Sequence, residues 1–292
     1  MEFCHIVPKK LINVVAGRPR HLVLAHLVES DSEYVEMYRQ LKERDNCTII
    51  MDNSAFEQFK KGEPMYPSEK LIELGKKIGA DYIVLSDYPK EHWTKTRDKA
   101  IEMIPSIKAA GFKTFYVPQS ELGDLDGLIE SIKWAIDNPE INLIGMSILA
   151  DPIALGIDEG CYNGQLDGMI RMQRTMARWK VFRELEKRKI INRMVIESKL
   201  QHRFHILGMQ DAVSEIELLE PYFPMIASWD TSSAAWHGLN GIRYDNTPTR
   251  LKNGKLNTEV DFDWNDVVTD DVLRDVIDNI NTIDEISHHN KY

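Results

Sequence analysis

The sequence predicts an α/β fold, a TIM-type (β/α)8 barrel, and three observations carry that expectation. Short β-branched apolar runs recur along the chain, amphipathic segments fill the gaps between them, and 292 residues hold one barrel of about 250 residues with an addition. Seven such runs in one chain favour a closed eight-stranded barrel over an open doubly wound sheet.

Taken in order, the runs are HLVLAHLV (21–28), CTIIMDN (47–53), YIVLSD (82–87), KTFYVPQ (113–119), LIGMSI (143–148), FHILGM (204–209) and PMIASWD (224–230). They read as parallel strands buried on both faces. The gaps after the first four hold SEYVEMYRQLKER, SEKLIELGKKIG, KTRDKAIEMIPSIKAAG and LDGLIESIKWAID. Each opens near Ser, Thr or Asp, whose side chains cap free N–H groups, and carries apolar residues at helical spacing. An eighth strand is expected at the N-terminus or within 241–260. The interval between the fifth and sixth runs is twice the others, so 152–203 reads as an insertion, with a long helix in RMQRTMARWKVFRELEKRK. Trp179 and Phe182 in that stretch are expected to pack against the barrel. An acidic helix is expected over 264–288, and no Gly/Ser/Pro linker divides the single domain 1–292.

Composition excludes several classes. With 43% hydrophobic and 28% charged residues the chain is neither disordered, collagen-like nor coiled-coil. It has no run of 18 apolar residues, and MEFCHIVPKK lacks the pattern of a signal peptide, so a cytoplasmic protein without membrane contact is expected. Cys4, Cys47 and Cys161 are far apart and form neither a disulfide framework nor a CxxC knuckle. His21, His26, His202 and His205 lack metal-ligand spacing, and no GxxxxGK[ST] or GxGxxG follows a strand. No metal and no cofactor are therefore expected. The net charge of −10 argues against bulk coating of nucleic acid, yet residues 171–203 carry a net +8. That reversal permits local contact with a polyanion, or an oligomer contact such as a homodimer.

The predicted strand ends are polar. Asp52 with Asn53 and Ser54, Asp87, Gln119, Ser147, Met209 with Gln210, and Asp230 close successive runs. In this fold such residues converge on one mouth, where neighbouring carboxylates push their pKa values apart and suit acid/base or covalent chemistry. Any one of these Asp residues also fits a helix N-cap. Their conjunction points to chemistry.

The order of motifs resembles the tRNA-guanine transglycosylase superfamily. MDNSAFEQF (51–59) resembles its DSGGxQ-type segment, YIVLSDYPKEHWTKT (82–96) its base-recognition strand, and FYVPQSE (115–121) its VQG segment. LIGMSI, FHILGM and SWDTSSAAWHG (228–238) resemble the three that follow, the last bearing the nucleophile. The resemblance implies that Asp230 attacks the anomeric carbon of a guanine nucleoside and that Asp52 is the general acid/base. It further implies that Asp87 and Gln119 read the base edge, Gly145 admits it, and Phe56 and Met209 sandwich its faces. The incoming base in this family is a free 7-deazaguanine.

Two departures bear on the substrate. No cysteine follows Cys161, so the zinc subdomain of the tRNA enzymes is missing, and Asn53-Ser54-Ala55 replaces the glycine pair of DSGG. A compact zinc-free chain resembles the DNA-guanine transglycosylases of phage and bacteria, which insert 7-deazaguanines such as preQ0 into DNA, in the host cytoplasm if phage-encoded. The expected partner is DNA, with tRNA as the alternative, held by Arg174, Arg178, Lys180, Lys187, Arg188 and Lys189 beside a flipped base. Two rivals are a catalytically silent nucleic-acid-binding homologue and a barrel hydrolase or lyase using the same carboxylates.

Overall fold

The computed structural model describes residues 2–158, 172–209, 212–244 and 268–289. Along the first half lie β1 (Glu2–His5), β2 (Arg20–Leu24), α1 (Ala25–Ser30), α2 (Ser32–Asp45), β3 (Thr48–Asp52), α3 (Ala55–Lys61), α4 (Ser68–Ile78), β4 (Tyr82–Val84), α5 (Trp93–Ala109), β5 (Lys113–Tyr116) and α6 (Leu125–Asp137). The second half holds β6 (Leu143–Ser147), α7 (Ala150–Ala154), α8 (Ala177–Lys187), β7 (Phe204–Leu207), α9 (Ala212–Leu219), β8 (Ile226–Thr231), α10 (Ser233–Leu239) and α11 (Asp270–His289). All pairings are parallel, in the order β1-β8-β7-β6-β5-β4-β3-β2, and the terminal members β1 and β2 come into contact. The sheet is a nearly closed eight-stranded barrel with helices between its strands, and the N-terminal segment supplies the eighth strand.

The strands end earlier than the apolar runs. The run 21–28 is extended only to Leu24, because Ala25 and Val28 bury themselves from the following helix instead. Runs 82–87 and 113–119 leave the sheet at Val84 and Tyr116, so Asp87 and Gln119 stand in loops above it. Hydrophobicity continues past each ladder because the loops also cover the core.

Side chains alternate across the barrel wall, as the two-residue strand period requires. Cys4, Leu22, Leu24, Ile50, Val84, Phe115, Val117 and Leu143 fill the interior. Their neighbours Val23, Ile49, Met51, Ile83, Tyr116 and Ile144 pack outward under the helices. The same alternation puts Asp52, Gly145, His205, Ser228 and Asp230 on the interior side. Gly145 is a packing requirement there, since a Cβ would stand 2.7 Å from Leu207 and 2.9 Å from Phe115.

The basic segment is anchored by α8, whose Val181, Phe182 and Leu185 are buried, with Phe182 stacked on Tyr222 at 4.6 Å. Residues 159–171, including Cys161, lie outside the described residues, as do 245–267. The acidic helix begins at Asp270 and crosses α10 closely: a Cβ on Gly238 would meet the Val276 backbone at 2.5 Å. Val276, Ile280 and Ile283 are buried beneath it. Among the described residues no helix is long and apolar enough to cross a membrane.

Candidate active site

The C-terminal ends of the strands enclose a cavity of about 360 Å³, lined among others by Asp52, Asn53, Phe56, Asp87, Gln119, Ser147, Arg174, Leu207 and Gly208. Its size lies in the range of small-molecule pockets. A smaller cavity of about 190 Å³ adjoins it across Phe56, Pro89, Leu149 and Arg174.

Asp230, the penultimate residue of β8, is 5% exposed. Its Oδ1 accepts hydrogen bonds from His205 Nε2 and from the Gly208 backbone N–H, both at 3.0 Å. Gly208 sits at φ +66°, which a glycine adopts without steric cost, and this turn aims its N–H at the carboxylate. Among the described residues no donor reaches Oδ2, and Asp230 itself stands behind Leu207 and Gly208, outside the residues that line the cavity.

Asp52 ends β3, and its Oδ1 accepts the Ser54 N–H at 2.7 Å. Ser54 holds a left-handed conformation at φ +56° and its hydroxyl meets His26 Nδ1 at 2.9 Å. Burial pushes the Asp52 carboxyl well above the usual carboxylate range, and the charges of Glu57, Asp87 and Asp230 push the same way against the Ser54 N–H. The surroundings therefore favour the protonated form of Asp52.

Asp87 and Gln119 are each 4% exposed. Asn53 Nδ2 donates to Asp87 Oδ1 at 2.7 Å and to Leu85 O at 2.6 Å, while Gln119 Nε2 donates to Asp87 Oδ2. Burial raises Asp87 to about 6, against the pull of the two amide donors. Asn53 thus ties the β3 end to the β4 loop.

The expected sandwich is rearranged. Phe56 is 40% exposed and lines the cavity, with Lys60 Nζ 4.3 Å from its ring centre. Met209 is buried in the outer core, and Leu207, two residues earlier on the interior side, faces the cavity. Gly145 also lies outside the lining, enclosed by Phe115, Val117 and Leu207.

The basic set splits in two, and one member requires correction. Arg178 is 1% exposed and is not a surface cation. Its guanidinium pairs with buried Glu215 and donates to the carbonyls of Leu207 at 2.8 Å and Gly208 at 2.7 Å, bracing the turn that serves Asp230. Arg174 is also buried and lines both cavities. Lys187 and Lys189 are exposed, Lys187 in an ion pair with Glu184 at 3.3 Å, and Lys180 is half-buried; Arg188 is exposed but pairs with Glu184 and Asp126.

Sequence reasoning missed His205, whose signal was its position two residues before cavity-lining Leu207 on an interior strand face. It also missed Asp151 at the start of α7, which is 1% exposed, has no partner on Oδ2, and is pushed by burial up to about 8. At the rim, His92, Glu121 and Asp124 bring potential ligand atoms within 4.8 Å of one another. His92 and Asp124 are each engaged in capping a helix.

No protein-family model matches the chain, and no curated protein matches it. Among solved structures, a dihydrodipicolinate synthase from Agrobacterium tumefaciens str. C58 is 11% identical with a TM-score of 0.42, over 80% of this chain and 69% of that one. Active domain 2 of chitinase from Pyrococcus furiosus is 11% identical with a TM-score of 0.48, over 98% of this chain and 95% of that one. Likeness at this level bears on neither activity nor substrate.

Proposed function

We propose that the chain is a glycosyltransferase of the guanine transglycosylase type, exchanging guanine in DNA for a free 7-deazaguanine base. The observation that carries this reading is the division of labour between Asp230 and Asp52. One carboxylate is held by two donors with an oxygen left over, and the other is pushed by burial toward its protonated form nearby. That is the pairing a retaining exchange at a sugar carbon needs.

In the first half-reaction Asp230 Oδ2 attacks C1′, the C1′–N9 bond breaks, and Asp52 gives its proton to the departing guanine. In the second, N9 of the incoming base loses its proton to Asp52, attacks C1′ and releases the Asp230 carboxylate. Asp87 and Gln119 meet the polar edge of the base, while Phe56 and Leu207 offer apolar faces to its ring. A 7-deazaguanine, once loaded, lacks the N7 lone pair and is a poor substrate for the return.

The target base has to leave the duplex to reach this mouth, and the exposed cations Lys187 and Lys189 are available to its phosphates. DNA is preferred over tRNA because the cysteines of the tRNA enzymes' zinc subdomain are absent from the sequence. The deciding experiment incubates the protein with radiolabelled guanine and, separately, duplex DNA, single-stranded DNA and tRNA. Label in DNA supports the reading; label in tRNA alone transfers it to the RNA substrate, and label in none rejects base exchange.

A further inference from the structure

The barrel interior carries a line of polar side chains that joins its two ends. At the N-terminal end a second cavity of about 360 Å³ is lined by Glu2, Arg20, Tyr82, Asn142 and His202, among others. There Arg20 Nε lies 2.7 Å from Glu2 Oε2, and Arg20 Nη1 donates to Ser228 Oγ at 3.0 Å. Ser228 Oγ lies 2.7 Å from His205 Nδ1, and His205 Nε2 lies 3.0 Å from Asp230 Oδ1. Strand register builds the line: β7 sets His205 beside Ser228, and β1 sets Glu2 beside Ser228 and Cys4 beside Asp230.

We propose that Arg20, Ser228 and His205 form a hydrogen-bonded file through the barrel that fixes the His205 proton on Nε2 and clamps Oδ1 of Asp230. The assignment follows from counting hydrogens. Arg20 has only donors, so Ser228 Oγ accepts from it and retains one O–H to give. His205 Nδ1 is the partner at hand, and it accepts that O–H only if it carries no proton. The single imidazole proton then stands on Nε2, facing an oxygen of Asp230 that accepts it. A doubly protonated ring would leave the buried Ser228 hydroxyl hydrogen unpaired, at a desolvation cost. The charged groups facing the ring are Asp230 from β8, Arg20 from β2 and Arg178 from α8; burial dominates and holds His205 below the ordinary histidine value. Arg20 and Ser228 are positioning residues: they touch neither substrate nor the reacting carbon, and act through His205.

The consequence for exchange rests on Asp230 being the nucleophile, but the proton assignment does not. The test is nitrogen-15 NMR of the whole protein labelled at histidine, followed from pH 5 to 8, alongside single-turnover formation of the protein–DNA adduct. The native protein is expected to show His205 protonated at Nε2 and bare at Nδ1. Ser228→Ala, and separately Arg20→Gln at the far mouth, are expected to shift population to the Nδ1-protonated tautomer and to slow adduct formation about 10- to 100-fold with little change in KM. Ser228→Thr, which restores the hydroxyl, is expected to recover both. A proton on Nδ1 in the native protein overturns the file, as does an unchanged tautomer in both variants. A native protein that shows the Nε2 tautomer but forms no adduct sinks the nucleophile reading and leaves the file standing.

Discussion

Gln119 donates its side-chain amide to Asp87, so the two residues expected to read a base edge are satisfied by each other in the free protein. Base binding exchanges that bond for bonds to the ligand, and Asp87 accepts from a ring N–H best as a carboxylate. With burial raising it to about 6, Asp87 is mostly protonated below that pH and mostly ionised above it. Affinity for a free 7-deazaguanine is therefore expected to rise with pH through about 6 and then level off. Calorimetric titration from pH 5 to 8 checks this, and Asp87→Asn is expected to flatten the profile.

Asp230→Ala is expected to abolish the covalent adduct while preserving the fold, because the side chain sits at a polar strand end and not in the apolar core. Mass spectrometry of the trapped complex and circular dichroism of the variant read the two parts. Asp52→Asn keeps shape but loses the proton, and is expected to slow both half-reactions by about 10² to 10⁴. Native turnover in Asp52→Asn would remove it from the mechanism.

Arg178 and Glu215 form an ion pair buried at 1% exposure on each side, with the Arg178 guanidinium also filled by backbone carbonyls. Removing one partner strands a charge. Arg178→Met is expected to cost about 3–5 kcal/mol in urea unfolding, and the double variant Arg178→Met/Glu215→Leu to recover much of it. A loss below about 1 kcal/mol for the single variant would mean that the pair is solvated in solution.

Asp151 has a folded-state pKa raised to about 8 by burial, above that of the unfolded chain. The folded form binds more protons between the two values, so this group's contribution is fully present at low pH and is lost as pH rises toward 8. Each pH unit within that window costs about 1.4 kcal/mol. Asp151→Asn, which cannot ionise, is expected to have a higher Tm than the parent at pH 8, with the difference shrinking toward pH 4. Equal Tm values across the range would show that the carboxyl finds a donor.

The exposed cations Lys187 and Lys189 are expected to contribute to DNA affinity without regard to sequence. Neutralising both should reduce the salt slope of binding by about one unit per lost phosphate contact. Unchanged slopes together with a changed molecular mass would assign the segment to an interface between copies of the chain.

The sequence by itself determined the barrel, because a strand buried on both faces and an amphipathic helix leave different periodicities that survive without any knowledge of partners. It also determined the polar strand ends: Asp52, Asp87, Gln119 and Asp230 each follow an apolar run, and parallel topology brings all such ends to one side. Only the tertiary structure decided which side chains meet. Leu207 rather than Met209 faces the cavity because β7 ends at Leu207 and the left-handed Gly208 breaks the two-residue alternation before Met209. Arg178 reads as one more cation in a basic run, yet α8 turns that side chain inward onto Glu215, a residue 37 positions away in the chain. His205 carries no motif spacing, only an interior strand position shared with Leu207. It acquires its place because register sets it across from Ser228, and contacts between strands far apart in sequence are fixed by packing that no local pattern records.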